Sequence, residues 1–521
     1  MSGAPARFSQ LLHSTFEHAA APYAVGVTAV IVSAAMLLTK LDEFPPFTDE
    51  VVYARWAVRL AESPSADTLW LSTHEDWKAP AFIWILALVH FWLDDSILTG
   101  RLITSLSGVL AVALVFQAGI RLIGTWSAAI AAVILAVAPA FVFTSRLALT
   151  DALIVMLAAL TWALSIPAVR GHTPSALGAG IAVALAAWTK LSGALLIVIP
   201  LAGIVLISQA GFRARATLLA TCMAPPSVVA VAFLLAPKSA QTLQHAGGFV
   251  LTPDQLAAIP LGQWAENLEQ MGGWALAYLP AVAIGAAASA LVLPFFSRRR
   301  EDWWLWVVLV FWLGFHILLG ETLYSRYLLP ALAPLALLAA RAIWVVGQAL
   351  RRADHRQLAL TWLVGAPLLV VLSLGIPASL LIITPTRASL PSDDRAQYIE
   401  EWPAGFGQTE ALQWIADTTA AEPGSAIVLT NHVYGAPRDL AALTFRKRAD
   451  LSVHVENRIR HPHGGVADDW RNHGVPVYAL INGNQDDAAT FLRLNPEFKL
   501  AASFERPGAK TVVSVLEFRP G

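Results

Sequence analysis

The amino-acid sequence predicts a mainly α-helical, polytopic membrane protein with a small α/β domain towards its C-terminal end. Three observations predict it. Of 521 residues, 56% are hydrophobic and only 14% are charged, where a soluble globular chain carries about 25% charge. Apolar runs long enough to cross a bilayer recur between residues 22 and 384. Beyond them the composition turns polar, and short β-like runs alternate with a helical pattern. Nineteen tryptophans suit aromatic belts at the two membrane interfaces. The net charge of −1 gives no electrostatic footprint for nucleic acid. Cys222 is the single cysteine, so no intramolecular disulfide can form.

The first run, Pro22 to Leu41, ends without the small-x-small pattern of a signal-peptide cleavage site and reads as a retained span. Further spans are expected at about 100–122, 126–144, 148–167, 176–188, 191–210, 216–236, 272–296, 303–320, 327–348 and 357–384, about eleven in all. The run Ala79–Leu93 is short and crowded with Phe82, Trp84, Phe91 and Trp92. Cytoplasmic loops concentrate Lys and Arg. With the N-terminus inside and 79–93 not spanning, the basic loops at Arg121, Arg170, Arg213 with Arg215, Arg298–Arg300 and Arg351–Arg352 all fall inside. The run 79–93 is therefore expected to lie at the outer interface, beside a second amphipathic helix at about 50–62. Two domains follow. Residues 1–384 form a transmembrane unit whose outer loop, 42–99, holds both interfacial helices. Residues 385–521 form an extracytoplasmic α/β domain, with a helix at about 408–419 and strands at Ala426–Thr430, Val475–Ile481 and Thr511–Leu516.

That topology gathers the charged edges of the apolar runs on one face. They are the loop Thr48–Pro80, the turn before Asp151, the turn Trp188-Thr189-Lys190 and the segment Glu321–Tyr327, joined by a longer loop at 237–271. A carboxylate at the mouth of a span is costly unless it is used or solvated. The absence of a P-loop or Rossmann glycine fingerprint argues against a nucleotide-linked donor. Sugar transfer from a phosphate-linked lipid needs a base for the acceptor hydroxyl, cations for the phosphate and an apolar groove for the tail. Asp49 suits the base, with Glu50 beside it. The alternative is a solvated pair capping a helix that starts near Val51. Lys78, Lys190 and Arg326 suit the phosphate, or else anchor the chain at the interface. Asp151 suits sugar hydroxyls, or else pairs with Arg146. Tyr53, His74, Glu75 and Tyr324 complete the candidate substrate contacts. His454, His461 and His463 lack a completing cysteine or carboxylate and are expected at the surface. No metal or other cofactor is expected, although a carboxylate pair can hold a divalent cation.

Taken in order, these residues resemble the GT-C-fold glycosyltransferases of the protein O-mannosyltransferase type and the related aminoarabinose transferases that modify lipid A. The matching elements are Asp49-Glu50 after the first span, Lys78-Ala79-Pro80 before a juxtamembrane helix, Arg146 through Asp151, Thr189-Lys190, and Arg326-Tyr327-Leu328-Leu329-Pro330. They cover roughly residues 20–340. Ala79 stands where that group has proline, Leu191 where glycine follows the lysine, and Val52 where the aminoarabinose enzymes tend to have arginine. The resemblance implies a polyprenyl- or dolichyl-phosphate sugar donor, Asp49 as base and phosphate contacts from Lys78. A single displacement would invert the anomeric carbon. The acceptor would be a hydroxyl of a protein, glycan or lipid at the extracytoplasmic face of the plasma membrane. Two rival readings are a carrier or flippase for lipid-linked sugars, which needs charges along a path between spans, and an oligosaccharide ligase or polymerase using a diphosphate-linked donor.

Overall fold

The structure, a computed structural model, describes residues 19–76, 78–236, 239–421, 424–431, 435–459, 466–508 and 511–519. His461, His463 and the side chain of His74 lie outside the described residues. The chain forms two compact units. One comprises Met1–Leu41, Leu69–Ile85 and Arg101–Ser389; the other comprises Asp42–Thr68, Leu86–Gly100 and Leu390–Gly521. The second unit thus takes in two segments that the sequence grouped with the spans. The reason is burial: Val51 and Ile97 pack in one apolar cluster with Leu412, Val428, Leu440 and Tyr478.

The first unit is helical. Among the described residues, seven helices are long and apolar enough to cross a membrane: Ala21–Leu38, Ser96–Ile123, Asp151–Val169, Phe212–Leu235, Arg300–Leu319, Ser325–Arg352 and Arg356–Ile383. The run expected at 126–144 is a pair, Thr125–Ala136 and Pro139–Ser145, bent by 58°. Pro139 at the first helical position favours a fresh start there. The runs expected at 176–188 and 191–210 correspond to the shorter apolar pieces Thr173–Thr189 and Leu191–Leu206. The expectation of one span over 272–296 needs correction. Two helices, Leu261–Tyr278 and Ala281–Phe296, meet at Leu279-Pro280, because Pro280 cannot continue the hydrogen-bond ladder. The loop expected at 237–271 holds the helices Ser239–Gly247 and Pro253–Ala257 and the start of the helix Leu261–Tyr278. The core is jigsaw-packed: Trp162 and Trp304, nearly inaccessible to solvent, lie 4.9 Å apart. The Trp304 indole donates to the Ile199 carbonyl at 2.8 Å.

The helix expected across 79–93 runs Ala81–His90, about 15 Å at 1.5 Å per residue, too short to span. Phe82, Ile83, Leu86 and Ala87 are buried, while Ile85, Leu88 and the following Phe91 and Trp92 are exposed. Its amphipathic companion runs Thr48–Glu62.

In the second unit a five-stranded sheet has the order β2-β1-β3-β5-β4, with β1 Ala426–Thr430, β2 Leu451–Val455, β3 Val477–Gly483, β4 Lys499–Glu505 and β5 Val512–Phe518. β2, β1 and β3 are parallel, and β5 is antiparallel to β3 and β4. Alternate residues fill two cores. Val428, Tyr478, Leu480 and Val515 face the helix Gln408–Ala421, and Leu429, Ala479, Ile481 and Leu516 face Phe491 of the helix Gln485–Leu494. Buried on both faces, β1 reads as the continuous apolar run that made it legible.

Candidate active site

In the first unit the site is built where helices end. Asp151 opens the helix Asp151–Val169, where unsatisfied backbone N–H groups favour a carboxylate. Its side chain is 7% exposed and is engaged by two cations from different elements. Lys190 Nζ lies 2.6 Å from Asp151 Oδ1, and Arg326 Nε lies 3.8 Å from Oδ2. Lys190 also sits over the Tyr327 ring, 4.1 Å from its centroid, and the Arg326 guanidinium lies 4.7 Å from the centre of Tyr324. Asp151 thus gathers two cations, and both are banked by aromatic faces that stabilise cations without neutralising them. Such an arrangement suits a phosphate.

Each member is aimed by its local sequence. Lys190 is the extended C-cap of the helix Thr173–Thr189, after which a 3₁₀ segment turns back. Gly193 permits that turn, since a Cβ there would stand 2.3 Å from the Ala186 carbonyl oxygen. Gly193 N–H donates to the Lys190 carbonyl at 2.7 Å. Tyr324 caps the 3₁₀ helix Ser325–Ala331, whose tight turn brings Tyr324 and Tyr327 edge to face, 5.4 Å apart. The Trp312 indole donates to the Tyr327 carbonyl at 2.9 Å.

Arg146 is not a partner of Asp151. Its guanidinium donates to the carbonyls of Met36, Thr39 and Lys40 at 2.5–3.0 Å, closing the end of the first span. Arg101 does likewise with Leu41 at 2.6 Å. Carbonyls left over at a helix end attract such donors.

Lys78 pairs with Asp76 at 2.9 Å. Its backbone is knotted to the preceding turn: its N–H donates to Ser72 O, and the Ser72 and Thr73 hydroxyls donate to its carbonyl. Trp70 and Trp84, on either side of Lys78 in sequence, both meet Trp188, with the three ring centroids 5.8–6.0 Å apart. Trp188 precedes Lys190 by two residues, so this tryptophan trio fastens the Lys78 segment to the Lys190 turn. Glu75 is half-buried in the helix Leu71–Asp76.

Asp49, Glu50 and Tyr53 belong to the second unit. Their helix begins at Thr48 rather than near Val51, and the residue at its N-cap is Phe47, so Asp49 is not the cap. The fully buried Glu50 supplies the capping contact instead: its carboxylate accepts the Phe47 N–H at 2.8 Å. Thr48 donates through both its N–H and its hydroxyl to Pro403 O, and Phe47 packs on Tyr398. Asp49 is half-buried in this fixed first turn. Tyr53 is buried against Trp56.

The structure therefore brings Asp151, Lys190, Arg326 and Tyr324 together. Sequence reasoning passed over Tyr327 and Trp188 as site-builders, although the three-residue spacing of Tyr324 and Tyr327 and the nearness of Trp188 to Lys190 were readable. Among the described residues, no group of three His, Cys, Asp or Glu could hold a metal ion.

Known structures share this architecture. ArnT from Cupriavidus metallidurans bound to undecaprenyl phosphate is 14% identical, covers 96% of this chain and 98% of its own, and superposes with a TM-score of 0.58. The same protein in the apo state is 16% identical over 95% and 97%, with a TM-score of 0.54. The Archaeoglobus fulgidus oligosaccharyltransferase in complex with Zn and sulfate is 13% identical over 87% and 67%, with a TM-score of 0.51. The class this defines is the GT-C fold, in an integral membrane protein. Residues 77–238 match the family described as dolichyl-phosphate-mannose-protein mannosyltransferase, a stretch that includes Lys78, Asp151 and Lys190. No curated protein sequence matches the chain significantly. Fold and matched stretch together identify a glycosyltransferase.

Proposed function

We propose that this chain moves a monosaccharide from a polyprenyl-phosphate donor to an acceptor hydroxyl at the extracytoplasmic membrane face, with inversion. The observation that carries the reading is the buried Asp151 held between Lys190 and Arg326, two cations brought together from separate stretches of chain. A donor phosphate would share those cations, and Lys78, fastened to the same turn through Trp188, would add a third. Asp49 takes the proton of the acceptor hydroxyl as its oxygen attacks the anomeric carbon. The bond between that carbon and the phosphate oxygen breaks, and the polyprenyl phosphate leaves as a stable anion, so no general acid is needed. Lys and Arg supply the electrostatic stabilisation, and the reaction proceeds without a resident metal. The match to the mannosyltransferase family and the undecaprenyl phosphate bound to ArnT support the donor class. The outward facing of the site and of the second unit rests on the distribution of basic loops.

The test is a panel of radiolabelled polyprenyl-phosphate monosaccharides offered to purified protein, with candidate glycan, peptide and lipid acceptors. Release of free polyprenyl phosphate from one donor, with label appearing on an acceptor, is the expected result. Transport of an intact donor across a vesicle without release would establish the carrier instead. Turnover confined to diphosphate-linked donors would establish the ligase.

A further inference from the structure

The second unit contains an open hollow of about 350 Å³ between the chain at 94–97 and the segment 440–447, within the range of roughly 300–1,000 Å³ usual for ligand sites. Its rim is polar and its floor apolar. Asp94 and Asp95 stand at the rim with Arg446 and Lys447, while Ile97, Leu440 and Leu443 make the floor. Two carboxylates and two cations share the rim, and Arg446 and Lys447 both bind the Asp94 carboxylate.

The rim is held rigidly. Arg446 also pairs with Glu62 at 3.2 Å and donates to His90 Nε2 at 3.1 Å. Because a guanidinium only donates, His90 Nε2 must accept. His90 Nδ1 then carries the proton and donates to Ser96 Oγ at 3.1 Å. Asp95 Oδ1 accepts the Leu98 N–H at 3.0 Å, fixing the other carboxylate by one oxygen.

We infer that this hollow binds an uncharged polyhydroxylated group, a sugar residue of the acceptor. The inference names an acceptor class for the glycosyltransferase proposed above and rests on that reading. A phosphate would compete with the Asp94 carboxylate for Arg446 and Lys447, and a cation would compete with those two for Asp94. Hydroxyls need not: each can donate to a carboxylate and accept from an ammonium or guanidinium within the network. The aliphatic floor suits the C–H face of a pyranose ring.

Saturation-transfer NMR on the full chain in nanodiscs, with lactose, maltose and diacetylchitobiose as probes and methyl phosphate as a charged control, tests this. The expected result is binding of at least one disaccharide and not of phosphate at this hollow, weakened more than about ten-fold by Leu443→Trp, which fills the floor. If Leu443→Trp lowers the melting temperature, Thr444→Arg at the exposed rim replaces it and should weaken binding similarly by adding a charge. Absence of binding by all three disaccharides, or binding indifferent to both substitutions, overturns the inference. Binding of undecaprenyl phosphate, measured in parallel with Lys190→Gln, reports on the donor site alone, so failure of the preceding reading is seen separately.

Discussion

Asp151 in the first unit and Glu50 in the second are both buried carboxylates at the first turn of a helix, and they are used differently. Glu50 spends an oxygen on the backbone N–H of Phe47, within its own helix. Asp151 is met by cationic side chains delivered from two distant stretches of chain. Burial is common to both, and the partners differ: a backbone N–H for Glu50 and two cationic side chains for Asp151, the pair that the proposed function gives to the donor phosphate.

Substitutions sharpen that contrast. The largest effect on stability is expected from Asp151→Ala. It removes the carboxylate that Lys190 and Arg326 share, and breaking a buried pair typically costs about 3–5 kcal/mol; chemical denaturation in detergent measures it. Next is Gly193→Ala. The added methyl meets the Ala186 carbonyl, displaces the Lys190 turn, and should lower donor turnover roughly 100-fold, the scale of an ångström-sized misplacement. Steady-state release of polyprenyl phosphate checks it, and normal turnover would mean that Lys190 is not positioned by this turn. Glu50→Ala should cost about 1–3 kcal/mol by leaving a buried donor unmet, whereas Glu50→Gln, still able to accept, should retain much of it. Hydrogen exchange at the Phe47 amide separates the two.

The smallest effect concerns pH. Burial, aided by the nearby Arg446, holds His90 below its ordinary value of 6.5. The folded second unit therefore binds fewer protons than the unfolded chain below that pH. The contribution of neutral His90 is complete above 6.5 and is lost as the pH falls towards the folded value. Exchange protection of the 438–447 segment should decline from pH 7.5 to 5.5 in the wild type and less steeply in His90→Gln. Equal slopes would show that another group governs the decline.

Much of this was legible in the chain. Apolar runs marked the helices, and the fully buried β1 showed as a run of apolar residues. β2 and β4 escaped because they are the edge strands, with exposed residues such as Ser452, Lys499 and Leu500 blurring the pattern. The break at Leu279-Pro280 was hidden because apolar composition continues through it. Lys190, Arg326 and Asp151 could be singled out as charges that an apolar chain tolerates only for a reason. Their mutual pairing could not be read, because it depends on a 3₁₀ turn and on Gly193. The alternative that paired Asp151 with Arg146 fails for a related cause: proximity in sequence says nothing of the orphan carbonyls at the end of the first span, which bind that guanidinium.

In the proposed reaction Asp49 takes the proton and the Lys190–Arg326 pair binds the phosphate. The direct measurement compares wild type, Asp49→Asn and Lys190→Gln with the donor sugar that turns over, recording undecaprenyl phosphate affinity and single-turnover release on the same samples. Asp49→Asn is expected to keep the affinity and lose roughly 10²–10⁴-fold in release, and Lys190→Gln to lose affinity first. Release by Asp49→Asn at the wild-type rate would contradict the proposed reaction.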